Sequence, residues 1–246
     1  MVDVKKISIY NLNIGDSMKS KTLAIIQLVM SILLYVLVDG YFFKVLGLFG
    51  LHFKGLAYEI ANTIKYLLIT LVIFVIYYKN IKVGKTKFGK TWINSLIYCV
   101  ACFVFLILVT IVLHDFLNYI GNPRGISIGY KFTNYFDNRF TLSFALNLVI
   151  ECIFMPFLLC IIFPLGFSNV IKKSSTASLV SGLTYGIVYG VMLHTSFESA
   201  IFYSLTPALL VALLTYLYKT NQNIWSVIVT YICYVLFGIF AINYIV

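Results

Sequence analysis

Runs of about twenty apolar residues, recurring along the whole chain without alternation, constrain this sequence more than any other feature. A run of that length crosses the hydrocarbon core of a bilayer as an α-helix, because a helix pairs all its backbone N–H and C=O groups within one segment. The strands of an outer-membrane barrel would read as ~10-residue alternating segments, and the runs here are unbroken. Of 246 residues, 61% are hydrophobic and 11% are charged, against ~45–50% and ~25% in a soluble domain. These values exclude a soluble enzyme, a disordered tail and a disulfide-stapled secreted domain. The expected fold is all-α, a polytopic transmembrane helix bundle of about seven to eight spans. Seven are read, at roughly 23–43, 57–78, 92–114, 141–168, 176–193, 199–218 and 223–245, the last open to a break near Gly238. Residues 1–22 form a polar N-terminal segment, and 23–246 form a single transmembrane domain with no internal repeat. Pro156 and Pro164 predict a kink or re-entrant bend in the 141–168 run.

The charge balance is strongly basic: 18 Lys and Arg against 8 Asp and Glu, a net charge of +10. Its placement reports topology. Lys5, Lys6, Lys19 and Lys21 precede the first run; Lys79, Lys82, Lys85, Lys87 and Lys90 crowd one loop; Lys172, Lys173 and Lys219 fall in two more. These are alternate loops, as the positive-inside rule requires. The N-terminus is therefore expected in the cytoplasm and the C-terminus outside a multi-pass cell-membrane protein. The same lysines suit anionic lipid, and nucleic acid is not expected as a partner. The first run is long enough to remain a span, and no cleavable signal pattern precedes it. The one sizeable external loop, 115–140, is rich in aromatics around the turn Gly121-Asn122-Pro123-Arg124-Gly125, and it could lie on headgroups or meet a partner. The five cysteines all lie in apolar runs, where a thiol mostly acts as a small apolar filler. Cys99 and Cys102 form C-x-x-C without a nearby His or Asp, so no metal or redox role is assigned to them.

Charged side chains inside spans are costly and usually face a cavity or a partner. Asp39, Glu59 and Asp115 fall near outer ends, where water is close, and Lys65 can snorkel its ammonium toward the interface. Glu151 is the exception. It lies about ten residues into its run, hence ~15 Å deep, and a carboxyl at that depth is protonated or paired. His194 and Glu198, four residues apart at the outer end of the fifth span, would share one helix face. Glu151, His194 and Glu198 are the candidate catalytic residues. No metal site and no cofactor are expected. Nucleophile-elbow, zincin, Walker and dinucleotide-binding patterns are all missing.

Three segments in the last ~95 residues recur in a familiar order. The first is Cys160-Ile-Ile-Phe-Pro-Leu165-Gly-Phe167 followed by Lys172-Lys173. The second is Ser181-Gly-Leu-Thr-Tyr185-Gly-Ile-Val-Tyr189. The third is Thr220-Asn-Gln-Asn223-Ile224-Trp225 with Tyr231 six residues on. This pattern resembles the CPBP family, the CAAX-protease and bacteriocin-processing enzymes also called Abi proteins, with the CPBP-like core at about 141–246. Family members carry E-E-x-x-x-R, F-x-x-x-H and H-x-x-x-N/D on three helices. Here the glutamate pair is Cys160 and Ile161, the arginine is Leu165, and the histidines are Tyr189 and Tyr231; Tyr185 keeps the aromatic, and Val235 stands at the Asn/Asp position. A zinc site needs about three carboxylate, imidazole or thiolate ligands, so the resemblance implies the family's fold without its proteolysis. Cys160, Leu165, Tyr185, Tyr189 and Tyr231 are the candidate substrate or cavity residues. The three phenols either hydrogen-bond a headgroup or peptide, or fill the vacated cavity.

The resemblance implies a non-proteolytic subunit acting with a protein partner at the outer face on a membrane lipid or lipoprotein, most concretely in bacterial lipoprotein N-acylation. An Ile-, Tyr-, Asn- and Lys-rich composition suits the AT-rich genome of a Gram-positive bacterium. Bacteriocin self-immunity and scaffolding of a cell-wall enzyme are the alternatives, and a transporter ranks last, with no repeat and few Gly-rich breaks at midspan.

Overall fold

The computed structural model describes residues 4–83, 92–119, 141–192 and 197–240. The described residues are helical apart from short turns, and no strand occurs among them. In chain order the helices are α1 (Val4–Leu48), α2 (Leu56–Val83), α3 (Trp92–Tyr119), α4 (Leu142–Val170), α5 (Ser174–Met192), α6 (Phe197–Asn221) and α7 (Ile224–Phe240). Each coincides with one of the seven apolar runs. Helix α1 begins at Val4, within the polar N-terminal segment, and its apolar part runs from Ser20 to Leu48. α7 is continuous through Gly238 as far as Phe240. The 120–140 part of the aromatic loop and the lysine-rich stretch 84–91 lie outside the described residues.

Three helical stretches are long and apolar enough to cross a bilayer: Ser20–Leu48, Leu56–Ile81 and Leu142–Val170. Leu96–Val109 and Ile224–Phe237 are shorter apolar stretches. Large apolar side chains cover the outside, as at Met30, Leu33 and Leu37 on α1 and Leu68, Leu71 and Val75 on α2. Water would penalise so much exposed apolar surface, whereas lipid matches it.

The fold is organised around α4. Of its apolar window 67% is buried, against 17% for α1 and 22% for α2, and it packs against α1, α2, α5, α6 and α7. Its two prolines leave the carbonyls of Cys152 and Cys160 without their usual donors, and each proline ring collides with the carbonyl four residues back. The helix absorbs this by widening to π geometry at Ile150–Phe154 and Ile161–Leu165, inserting a residue where the bonding pattern is broken. The outcome is a helix continuous from Leu142 to Val170 with two π turns, so the run does not re-enter, and the π turns fall where the prolines predict a departure from α geometry. It stops at Ile171, whose backbone is extended.

Direction follows from close approaches. Gly166, late in α4, touches Leu28 and the Tyr77 hydroxyl: a Cβ there would lie 2.9 Å from both. Leu28 and Tyr77 are both far from the α1–α2 turn, so α4 starts at the turn end and runs parallel to α2. Gln27 on α1 donates from Nε2 to the Ile76 carbonyl of α2 at 3.2 Å, tying the hairpin together at its other end.

α5 and α6 make the closest helix pair. Ser178, Gly182 and Gly186 recur every fourth residue and face Ala208 and Ala212, so the backbones come almost into contact. Ser178 Oγ donates to the Ala212 carbonyl at 2.5 Å, and the Ser181 and Thr215 hydroxyls bond at 2.7 Å. In lipid, where apolar burial gives no drive for helix association, small residues and such hydrogen bonds supply it. The small-xxx-small spacing that permits this approach is plain in the sequence.

Lys219, in the last turn of α6, closes the end of α4 by donating from Nζ to the Ser168 carbonyl at 2.9 Å and the Lys172 carbonyl at 3.4 Å. Its ammonium satisfies carbonyls that the end of the helix leaves open. Lys219→Met is expected to lower stability by about 1 kcal/mol, measured by thermal unfolding in detergent, with Lys219→Arg retaining most of it.

Candidate functional site

Asp39 and Lys65 stand at matching heights. Asp39 is nine residues before the end of α1 at Leu48, and Lys65 is nine residues after the start of α2 at Leu56. At 1.5 Å per residue each lies ~14 Å from the turn. They form an ion pair, Lys65 Nζ to Asp39 Oδ1 at 2.8 Å, with side-chain exposures of only 5% and 17%. Tyr66 donates its hydroxyl to the same Oδ1 at 2.5 Å. The Lys65 ammonium also lies 4.3 Å from the Tyr66 ring centroid and 5.6 Å from that of Phe43, where ring faces attract a cation. Lys65 therefore points to a partner inside the bundle and does not snorkel. Asp39, expected as a solvated interfacial acid, keeps some exposure but is paired with a buried lysine.

Glu151 enters at the same level, nine residues into α4, in the first π turn. It is buried, as its depth in the sequence implied. It lies within electrostatic reach of Tyr66 on α2 and Tyr231 on α7. Tyr231 in turn is within reach of Cys160, Tyr185 and Tyr234. Tyr35 on α1 hydrogen-bonds Tyr185 and lies within electrostatic reach of Asp39 and Tyr66. Tyr185 packs edge-on against Phe163, with centroids 4.9 Å apart, and beside Tyr189 at 6.0 Å.

The structure therefore brings Glu151, Cys160, Tyr185, Tyr189 and Tyr231 into one neighbourhood, with Tyr185 and Tyr231 buried and Tyr189 half-buried. Leu165 ends the second π turn inside the apolar core. Glu198 falls in the first turn of α6, and His194 lies outside the described residues. Among the described residues no three His, Cys, Asp or Glu side chains stand close enough to hold a metal ion. Cys99, of the C-x-x-C pair, instead donates its thiol to the Ser226 carbonyl at 3.7 Å, joining α3 to α7.

Tyr35, Tyr66 and the Asp39–Lys65 pairing escaped the sequence reading. The equal spacing of Asp39 and Lys65 from a shared turn was the signal that could have found the pair. Chemically, the cluster offers carboxylate acceptors, phenol donors and one ammonium within an apolar bundle. Such groups can hold a polar head that carries both donors and acceptors, in a medium where each hydrogen bond counts for more than in water.

No family model, no curated protein and no solved structure matches this chain.

Proposed function

We propose that the chain is a seven-span, non-proteolytic CPBP-like membrane protein that works with a protein partner on a lipid-linked substrate, most concretely in bacterial lipoprotein N-acylation. Its N-terminus is cytoplasmic and its C-terminus external, and the CPBP-like core comprises α4 to α7. The supporting observation is a convergence. The three segments that carry the family likeness are separated in sequence, yet Cys160, Tyr185 and Glu151 all lie within electrostatic reach of Tyr231. Intramembrane ionisable groups that face the interior of a bundle mark substrate or ion sites by default. The substitution of the family's ligand residues leaves hydrogen-bonding phenols in place of metal chemistry, which suits holding a polar headgroup.

The N-terminal lipopeptides of deletion and parental cells, compared by mass spectrometry, test this reading. Deletion is expected to remove one acyl chain from the lipoproteins. Restoring the wild-type gene returns it, whereas Glu151→Gln does not, although that variant still accumulates in membranes. An unchanged acyl profile on deletion overturns the reading, and increased sensitivity of the deletion strain to a bacteriocin would then favour self-immunity.

A further inference from the structure

The CPBP-like segments all lie after residue 141, but the polar neighbourhood does not. We infer that the N-terminal hairpin supplies the second half of the site, with Lys65 as its positioning residue: by holding Asp39, and through it the Tyr66 hydroxyl, Lys65 fixes the polar face that α1 and α2 turn toward Glu151, Tyr185 and Tyr231. In its functional part this rests on the reading above, that the site acts on a lipid-linked substrate.

The geometry is specific. Asp39 Oδ1 receives both the Lys65 ammonium at 2.8 Å and the Tyr66 hydroxyl at 2.5 Å. The hydroxyl donor of Tyr66 is thereby committed to Asp39, and the same side chain lies within electrostatic reach of Glu151 and Tyr185. Tyr35, from α1, hydrogen-bonds Tyr185 and lies within electrostatic reach of Asp39. Tyr66 from α2, Tyr231 from α7 and the neighbouring Cys152 lie within electrostatic reach of Glu151, and behind them stand Asp39 and Tyr35 from α1, Lys65 from α2, Cys160 from α4, Tyr185 from α5 and Tyr234 from α7. Lys65 is the one cation among these, and it neutralises Asp39. The hairpin therefore presents an oriented but neutral surface. A buried ion pair contributes little to stability beyond what an apolar pair of similar volume would give, so its consequence here lies in orientation.

The test uses the full-length protein in lipid bilayers, with the infrared carboxyl signal of Glu151 assigned by difference against Glu151→Gln. Two variants are compared with wild type: Tyr66→Phe, which keeps the ion pair, and the neutral double variant Asp39→Asn/Lys65→Met, which leaves no unpaired charge. Both are expected to retain helix content and to shift the Glu151 signal. Both are also expected to lower lipoprotein acylation in cells ~10-fold or more, the scale seen when a partner orienting a functional side chain is removed. A folded double variant whose Glu151 signal matches wild type overturns the inference and reduces the pair to a structural contact. If deletion of the protein leaves acylation unchanged, the functional reading fails on its own, and the infrared comparison still decides whether the hairpin positions Glu151.

Discussion

Leucine at Gly182 is expected to prevent α5 and α6 from docking, and alanine there to cost ~1–3 kcal/mol, the usual range for overpacking by a few atoms. A Cβ on Gly182 would sit 2.5 Å from the Ala208 carbonyl oxygen and 2.7 Å from the Ala212 Cβ. Neither neighbour is the free end of a flexible side chain. Relief requires one helix to move away from the other, and that movement lengthens the Ser178 to Ala212 and Ser181 to Thr215 hydrogen bonds. In lipid these bonds and close van der Waals contact are the main forces holding the pair, so the loss is cooperative. Thermal unfolding of the purified protein in detergent reads it. Gly186→Ala should cost less, since its Cβ meets the Ala208 Cβ at 2.9 Å and the Ser204 carbonyl at 3.3 Å. Gly40→Ala on α1, where a Cβ meets nothing within 4 Å, is the control and should cost nothing. Equal tolerance of alanine at positions 40 and 182 would show that the two helices are not held this closely in the membrane.

The sequence disclosed the helices more readily than their contacts, for a physical reason. Hydropathy is set by the solvent, so each apolar run announces a helix whatever it packs against. The proline pair in α4 announced a departure from α geometry but not its form. Pro156 and Pro164 forbid certain bonds, and which carbonyls are re-paired through π geometry is decided by the packing around a mostly buried helix. The polar cluster was half legible. Glu151 stood out by depth alone, and the motif-like segments pointed to Cys160, Tyr185 and Tyr231. Asp39 and Lys65 were read singly, one as interfacial and one as snorkelling, because each reading suits a single charge near a helix end. Their equal distance from one tight turn makes them neighbours, which is a statement about two helices and not about either run. Tyr35 and Tyr66 gave no signal beyond being two of the chain's 19 tyrosines.

Lys65→Met alone is expected to destabilise the protein far more than Asp39→Asn/Lys65→Met together. Removing the lysine leaves the Asp39 carboxylate in the bundle with the Tyr66 hydroxyl donating to it at 2.5 Å, and breaking a buried pair from one side costs ~3–5 kcal/mol. The low end of that range applies, since 17% of the Asp39 side chain is exposed and some hydration survives. Asp39→Asn alone strands the ammonium instead. Its loss is partly cushioned by the Tyr66 and Phe43 rings, 4.3 and 5.6 Å from Nζ, whose attraction for a desolvated cation is about 2 kcal/mol. The single variants should therefore be unequal, with the lysine change the worse. In the double variant no charge is left to solvate, and its stability should return to within about 1–2 kcal/mol of wild type, making the coupling between the two sites favourable by several kcal/mol. Unfolding of all four proteins in one detergent gives the cycle. Additive losses, with the double variant the least stable, would mean that the two side chains do not meet within the bundle, and the site would then lose its N-terminal half.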